Sequence, residues 1–311
     1  MSQMASPSRT SSLALAPVAE RASVSLSLRS TPLICFFLAL SAQAATPGEL
    51  SQQVGLQMWS LRTWTHRGDV ADALDLVRGY GVTKVETVET ENIPPARLAE
   101  MLRARGIVPL GMHVGYVHLT QDLPRVIRDA QTLGLQYVVC SAIPHDQRFD
   151  EAAAHRLAAQ FNAWGAAVRA AGMRFAYHTH GSEFTPLGGE REGTAFDLVM
   201  RETDPALVTF EMDAFWVTHA GQDPVTLLHR YPGRWSLLHV KDLTLGKIAA
   251  DPPYHAELSD FVPAGRGRID WPAIFAAAAQ AGVQQAYLED ECASPLETIP
   301  LSLGYLRSLP H

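Results

Sequence analysis

The sequence predicts a single closed barrel of eight parallel β-strands, each followed by an α-helix. From residue 54 onward, short runs of β-branched and aromatic residues alternate with longer stretches of helical hydrophobic period. Eight such strand–helix units in about 260 residues match the size of an α/β barrel of this kind. The alternative, an open doubly wound sheet, normally carries a glycine-rich turn after its first strand, whereas residues 57–62 contain no glycine.

The expected strands are short, and most of them end near a polar residue. They span residues 54–58, 84–88, 108–113, 137–141, 174–180, 207–213, 236–241 and 285–290. The expected helices span residues 69–79, 94–105, 121–133, 150–171, 193–202, 223–231, 271–281 and 296–307. Several helices end beside a glycine that precedes a strand, which is typical of a helix C-cap; these are Gly81, Gly106, Gly134, Gly172 and Gly282.

The first 44 residues are predicted to be a secretory signal peptide and not part of the barrel. Residues 1–32 carry three arginines against one acidic residue, and an apolar run follows at residues 33–40. The small residues Ala42 and Ala44 then form a cleavage site. The apolar run is shorter than the ~20 residues that span a bilayer, so no membrane anchor is expected after cleavage. We therefore expect a periplasmic or secreted protein whose barrel domain comprises residues 45–311.

Composition excludes several classes of function. The chain has 311 residues, of which 47% are apolar and 18% charged, so it can bury a large core and is not disordered throughout. The formal net charge is −7. A nucleic-acid partner is not expected, because such proteins need a basic surface to displace counterions from phosphates. A small-molecule sugar substrate is compatible with this charge, and a homo-oligomer remains open.

Four consecutive strands, the fifth to the eighth, end in side chains that can bind a metal ion. The segments are Tyr177-His-Thr-His180, Phe210-Glu-Met-Asp213, Leu238-His239 and Leu288-Glu289. A parallel barrel buries both faces of its strands, so charged groups there cost several kcal/mol unless they are paired or bound to a metal. Taken singly, a histidine at a strand end is usually hydrogen-bonded and an aspartate is often a helix N-cap. Taken together, they predict a shared metal centre at the carboxyl-terminal face.

Several short motifs together resemble the sugar phosphate isomerase/epimerase group of the xylose isomerase-like TIM barrel superfamily, which also contains inosose dehydratases and AP endonucleases. The motifs are Tyr177-His-Thr-His-x-x-Glu-Phe184, Asp213-Ala-Phe-Trp-Val217, His239-Val-Lys-Asp242 and Gly265-x-Gly-x-Ile-Asp-Trp271. Residues 55–62 are similar to the first strand of that family. The resemblance covers residues 54–306 and implies one divalent metal ion bound at the ends of strands five to eight.

The resemblance implies that the metal ligands are His178, Asp213, His239 and Glu289, with Mn²⁺ favoured over Co²⁺, Zn²⁺ and Mg²⁺. The epimerases of this group have a glutamate at the position of His178, and their fifth- and eighth-strand glutamates act as two opposed acid/base groups. A two-base epimerisation by the same groups is therefore in doubt for this chain. His180 is the competing ligand, because alternate residues of a strand share one face, and we favour His178.

Other side chains near the strand ends are candidates for catalysis or substrate binding. Glu289 is a candidate acid/base, Lys241 could stabilise an oxyanion or protonate a leaving oxygen, and Glu183 or His180 could assist. The structural alternatives are a salt bridge for Lys241 and loop capping for Glu183. Gln57 and Trp59 are expected to share a face of the first strand, and aromatic residues at such positions can equally be packing groups. The candidate substrate-binding residues are Gln57, Trp59, Glu86, His113 and Trp216.

These observations predict a metal-dependent enzyme acting on a keto sugar or keto-glycoside. A divalent cation can stabilise the enediolate that forms when a proton beside a carbonyl group is removed. Our leading hypothesis is a sugar isomerase or epimerase. The alternative is a lyase or dehydratase that uses the same metal site on a 3-keto-glycoside, and a sugar-binding barrel without turnover is a third hypothesis.

Overall fold

The computed structural model describes residues 45–89, 93–144, 149–187, 193–246 and 255–310. The segment predicted to be a signal peptide, residues 1–44, lies outside the described residues. The barrel strands are β1 (Gly55–Gln57), β2 (Lys84–Val88), β3 (Val108–Val114), β4 (Tyr137–Cys140), β5 (Arg174–His178), β6 (Val208–Asp213), β7 (Trp235–Val240) and β10 (Gln285–Leu288). A separate antiparallel ribbon consists of β8 (Asp242–Leu243) and β9 (Phe261–Val262).

The eight barrel strands close into one ring in which all neighbours are parallel. The strands follow the order of the chain around the ring, and β10 closes it by pairing with both β7 and β1. The predicted fold class, a single eight-stranded α/β barrel, is therefore confirmed. A barrel of this topology places the carboxyl-terminal ends of its strands at one face, where the following loops can form a site.

The eight predicted helices are present, and the structure adds three short ones. The helices are α1 (Pro47–Gln52), α2 (Arg62–Arg67), α3 (Val70–Gly79), α4 (Pro95–Ala104), α5 (Tyr116–Leu133), α6 (Glu151–Ala170), α7 (Ala195–Glu202), α8 (Ala214–His219), α9 (Pro224–Arg230), α10 (Trp271–Ala281) and α11 (Pro295–Arg307). The sequence did not predict α1, α2 or α8. All five glycines predicted to end helices have positive φ. No helix within the described ranges is long and apolar enough to cross a membrane.

Helix α5 begins at Tyr116 and not at residue 121 as the sequence predicted, because it consists of two helical segments joined at a break. Asp122 has non-helical dihedrals (φ −150°, ψ 60°), so one helical turn before it and a longer helix after it are joined across a kink. Pro124 lies just beyond this kink. The predicted start at residue 121 therefore marks the second half of the helix.

Five barrel strands end one or two residues earlier than expected, and for β5 and β1 this corrects a prediction about which side chains share a strand face. Strand β5 ends at His178, and Gly181 turns the chain with φ 103°. Strand β1 ends at Gln57, whose side-chain Oε1 accepts a hydrogen bond from the Trp59 N–H at 3.0 Å and so begins a 3-10 helix. The expectations that His178 shares a strand face with His180, and Gln57 with Trp59, are therefore wrong.

The glycine-containing motif near residue 270 folds around one buried carboxylate. Asp242, 1% exposed, accepts hydrogen bonds from the backbone N–H groups of Gly265 (2.9 Å), Gly267 (3.2 Å) and Ile269 (3.2 Å). The indole Nε1 of Trp271 donates a further bond to it at 3.1 Å. The motif thus ties the loop before α10 to the end of β7, and it has a structural role.

Replacing Gly267 by alanine is expected to destabilise the protein by about 1–3 kcal/mol. A Cβ atom there would collide with the carboxylate of Asp242 and with the carbonyl oxygen of Leu243, and backbone cannot move aside as a flexible side chain can. Urea unfolding measures the loss. The matched control is Gly304→Ala in α11, where a Cβ meets nothing within 4 Å. Equal unfolding free energies for the two variants would show that the loop does not depend on this close approach.

Candidate metal centre

Four buried side chains meet at the carboxyl-terminal end of the barrel. His178 ends β5, Asp213 ends β6, His239 lies near the end of β7, and Glu289 follows β10. Each offers one nitrogen or oxygen, and these atoms all lie within 4.8 Å of one another. We call these four residues the ligand cluster. The structure thus brings together the four residues that the family resemblance implied as metal ligands.

The geometry of the ligand cluster fits a divalent cation. Asp213 Oδ2 lies 3.8 Å from His178 Nε2 and 3.8 Å from His239 Nδ1, and His239 Nδ1 lies 3.2 Å from Glu289 Oε2. Asp213 Oδ2 is buried and accepts no hydrogen bond from the described residues, although the Lys241 ammonium lies 3.3 Å from it. Two imidazole nitrogens and two carboxylate oxygens form a donor set that suits Mn²⁺, Co²⁺ or Zn²⁺. A histidine–carboxylate cluster that could bind a metal ion is therefore present.

A second layer of polar side chains lies below the ligand cluster, inside the barrel. Glu211 Oε2 lies 2.9 Å from His178 Nδ1 and 2.8 Å from His113 Nε2. Glu86 Oε2 lies 2.7 Å from His239 Nε2. No sequence motif identified Glu211 as a functional residue. A signal was available, because Glu211 precedes Asp213 by two residues and therefore shares its face of β6.

Three of the predicted substrate-binding residues belong to this lower layer. Gln57 and Glu86 are fully buried, and Gln57 Nε2 donates to Glu86 Oε2 at 2.7 Å. The side chain of His113 is 9% exposed and contacts both Glu86 (3.2 Å) and Glu211 (2.8 Å). Gln57 thus binds Glu86, and Glu86 in turn binds the ligand-cluster residue His239. In the structure these two side chains therefore support the ligand cluster from below.

The lower layer also carries a protonated histidine. Burial acts to lower the pKa of His113, but the charges of Glu86 and Glu211 and their hydrogen bonds outweigh it and raise this pKa to about 9. For His178, burial lowers the pKa to about 3, despite its bond to Glu211. Burial also acts to lower the pKa of His239, but the charge of Glu211 and hydrogen bonds to Glu211, Glu289 and Glu86 raise this pKa well above its ordinary value. A metal ion at His239 would therefore displace a proton, whereas His178 favours the neutral form that binds a metal.

Lys241 joins the ligand cluster from the loop that follows β7. Its Nζ lies 2.6 Å from Glu289 Oε2, 2.8 Å from Glu291 Oε1 and 3.3 Å from Asp213 Oδ2. Burial acts to lower the pKa of Lys241, but the charges of these three carboxylates raise it well above its ordinary value. Lys241 is thus a buried ammonium in salt bridges. The sequence did not single out Glu291 as its partner.

Aromatic side chains border the ligand cluster. The His180 ring stacks on the Trp216 ring with centroids 4.2 Å apart, and its centroid lies 6.0 Å from that of His178. The indole Nε1 of Trp59 donates to Glu291 Oε2 at 3.1 Å. Both groups of described residues that could hold a metal contain His178, and neither contains His180. The geometry therefore favours His178 over His180 as a ligand.

Glu183 lies in the turn after β5, where it caps the loop. Its side chain is fully buried, and Oε1 accepts the His180 backbone N–H at 2.7 Å. Burial raises the pKa of Glu183 to about 7. These contacts correspond to the loop-capping alternative considered for this residue.

Replacing Glu183 by glutamine is expected to change how stability depends on pH. Because burial raises the pKa of Glu183 from 4.5 to about 7, the folded protein holds this proton more tightly than the unfolded chain does. The stability that this residue contributes is therefore present below its unfolded pKa and is lost as the pH rises through the folded pKa. As the pH rises from about 5 to about 8, the unfolding free energy of Glu183→Gln should therefore increase by about 2–3 kcal/mol relative to that of the wild type. Urea unfolding across this range checks the result, and parallel curves for the two proteins would contradict it.

Comparison with known proteins places these features in a family. The sequence matches the family described as xylose isomerase-like TIM barrel over residues 74–309. The chain is similar to inosose dehydratase of Lacticaseibacillus casei, with 29% identity over 165 residues that cover 49% of this chain and 53% of that protein. The match thus spans about half the length of this curated relative.

Two solved structures share the fold at lower sequence identity. The sugar phosphate isomerase/epimerase from Parabacteroides distasonis superimposes with a TM-score of 0.68 and 23% identity, covering 83% of this chain and 98% of that one. The IOLI protein with a zinc atom superimposes with a TM-score of 0.59 and 15% identity, covering 75% and 88%.

Proposed function

The chain belongs to the xylose isomerase-like TIM barrel family, and we propose that it is a metal-dependent enzyme acting on a keto sugar or keto-glycoside. In this proposal the enzyme removes a proton from the carbon beside a carbonyl group. The observation that carries the proposal is the ligand cluster, in which two imidazoles and two carboxylates from four adjacent strands lie within 4.8 Å. The names of the dehydratase and isomerase/epimerase relatives support a reaction of this type.

His178, Asp213, His239 and Glu289 would hold one divalent ion, Mn²⁺ in preference to Co²⁺, Zn²⁺ or Mg²⁺. When bound, such an ion supplies Lewis-acid polarisation of a carbonyl oxygen, which makes the neighbouring C–H acidic. The charge balance supports this assignment, because Lys241 is the one ammonium that the described residues place against the carboxylates of the cluster. Buried carboxylates without compensating charge are costly. The zinc atom in the IOLI protein is also consistent with a metal here.

The acid and base that the site offers favour elimination. Glu289 supplies a carboxylate base, and Lys241 supplies an ammonium acid 2.6 Å from it. Glu289 takes the proton from carbon, the bond between the β-carbon and its oxygen substituent breaks, and its electron pair stays on the departing oxygen. Lys241 then gives that oxygen a proton and recovers one from Glu289. The net products are an unsaturated ketone and water or an alcohol.

The fifth strand offers no second carboxylate for a two-base epimerisation. His178 stands where the epimerases have glutamate; its Nδ1 lies 2.9 Å from Glu211, and its Nε2 faces Asp213. We therefore place the lyase or dehydratase ahead of the isomerase or epimerase that the sequence had favoured. Export after removal of residues 1–44, as predicted, would bring the enzyme into contact with unphosphorylated sugars outside the cytoplasm.

Turnover in D₂O tests the proposal. The purified protein with added Mn²⁺ is incubated with a 3-keto-glycoside and, separately, with a free keto sugar. Elimination is expected to release the aglycone and to form a product with the ultraviolet absorption of a conjugated ketone. Recovery of deuterated sugar without an unsaturated product would replace elimination with isomerisation or epimerisation. Full sugar binding in EDTA with no turnover under any condition would support the sugar-binding barrel instead.

A further inference from the structure

We propose that Glu211 is a positioning residue that orients both histidines of the ligand cluster, so that His178 presents Nε2 to the metal and His239 presents Nδ1. The inference rests on the proposed function, since it requires that the ligand cluster binds a divalent ion. It adds a residue that no sequence motif had singled out, and it assigns a binding nitrogen to each histidine.

The position of Glu211 in the barrel carries the inference. Strand β6 lies between β5 and β7, and Glu211 is in register with His178 on one side. Its fully buried carboxylate oxygen Oε2 lies 2.9 Å from His178 Nδ1 and 3.2 Å from His239 Nε2. One carboxylate oxygen on the central strand therefore reaches a ligand histidine on each neighbouring strand.

Hydrogen-bond chemistry then fixes the free nitrogen of each ring. A neutral imidazole carries one N–H donor and one lone pair, and a carboxylate only accepts. When a metal ion takes the nitrogen that faces the ligand cluster, the other ring nitrogen carries the proton and donates it to a carboxylate of the lower layer. For His178 this is Nδ1, which leaves the Nε2 lone pair facing Asp213 Oδ2 at 3.8 Å.

His239 presents the other ring nitrogen, Nδ1, to the ligand cluster. Its Nε2 lies 2.7 Å from Glu86 Oε2 and 3.2 Å from Glu211 Oε2, so Nε2 donates to the lower layer when an ion occupies Nδ1. Nδ1 is the nitrogen that faces the ligand cluster, 3.2 Å from Glu289 Oε2 and 3.8 Å from Asp213 Oδ2. Carboxylate partners of this kind fix ring orientation and increase the basicity of the binding nitrogen.

The carboxylates of the lower layer are better assigned as groups that orient the ligand histidines than as part of a second metal site. By distance alone, His113, His178, Glu211 and His239 could also hold an ion. An ion there would take the nitrogens of His178 and His239 that face Glu211. Both sites could then be filled only if both imidazoles lost their remaining proton, whereas hydrogen bonds to Glu211 require only the ordinary neutral form.

Metal affinity of Glu211 variants gives the first test. The full chain and its Glu211→Ala and Glu211→Gln variants are titrated with Zn²⁺ and Mn²⁺ against a chromophoric chelator at fixed pH. We expect about 10–100-fold weaker binding for Glu211→Ala. The Gln variant should lie between it and wild type, because its amide oxygen can still accept a ring N–H. The matched control is Glu89→Gln, which removes a carboxylate 2.6 Å from His118 Nδ1, a pair outside the ligand cluster.

Nitrogen NMR of the wild-type protein gives a second test that does not depend on a variant folding. Histidine is labelled with ¹⁵N, and the protein is loaded with Zn²⁺. We expect His178 to show a protonated Nδ1 and a metal-bound Nε2, and His239 the reverse. Binding through the opposite nitrogens, or wild-type metal affinity in Glu211→Ala, would overturn the role of Glu211 alone. Wild-type protein that binds no divalent ion would overturn the proposed function as well.

Discussion

Replacing Glu289 by glutamine is expected to lower kcat about 10³-fold, within the range that removal of a general acid/base group produces. Glutamine keeps the size of the side chain but cannot take a proton from carbon. It also removes one of the two carboxylates of the ligand cluster, so the variant should bind less metal. Steady-state kinetics with the substrate identified in D₂O, together with elemental analysis of the dialysed protein, measure both effects.

The neighbouring residue provides a matched control. Asp290 is also buried, but its Oδ1 accepts the Cys292 N–H at 3.0 Å and the Thr298 hydroxyl at 2.9 Å, so it faces away from the ligand cluster. Burial raises the pKa of Asp290, so the neutral amide of Asp290→Asn should be tolerated. We expect this variant to retain kcat and metal content. A similar loss in both variants would mean that Glu289 has no specific role.

The sequence pattern was sufficient to predict the barrel, and the family resemblance implied the four residues that the structure brings together as the ligand cluster. The fold followed from the regular alternation of strand and helix patterns, with a glycine at the end of several helices. A shared site was expected because a closed parallel barrel brings consecutive strand ends to one face, and the resemblance then indicated which residues form it. Residues as far apart in sequence as His178 and Glu289 could therefore be placed together without knowledge of any side-chain contact.

Strand ends and short helices could not be predicted, because tertiary contacts determine them. Asp213 was expected to end a strand and bind a metal, with a helix N-cap as the alternative, but the helix that it would cap was not predicted. It also caps α8, since its Oδ1 accepts the Trp216 N–H at 3.0 Å, and so a six-residue helix begins at the site itself. The side chain of Gln57 ends β1 in a comparable way. Neither bond leaves a periodic pattern in the sequence.

The hydrogen-bond partners of buried polar residues could not be predicted from the sequence either. Glu86 and His113 were expected to face a substrate, because each lies near the end of a strand. In the structure both side chains contact side chains on other strands, with Glu86 bound to His239 at 2.7 Å across 153 residues of sequence. Local sequence identifies a buried carboxylate that needs a partner, but only the closed barrel determines which residue that partner is.

Replacing Lys241 by methionine is expected to destabilise the metal-free protein by about 3–5 kcal/mol, because it leaves buried carboxylates without their cation. The variant loses the contacts of Nζ to Glu289, Glu291 and Asp213, and the last of these is fully buried. Turnover should also fall about 10²-fold or more, since the acid for the departing oxygen is lost. Urea unfolding in EDTA measures the stability, and kinetics with added Mn²⁺ measure the activity.

Lys84 at the opposite end of the barrel is the matched control for this substitution. It is only half-buried, and its Nζ contacts the amide oxygen of Gln285 at 3.0 Å. Lys84→Met should therefore change stability by less than about 1 kcal/mol. Because a divalent ion supplies the positive charge that Lys241→Met removes, added Mn²⁺ should restore more stability to that variant than to Lys84→Met. An equal recovery of unfolding free energy in the two variants would mean that Lys241 and the metal do not neutralise the charge of the same carboxylates.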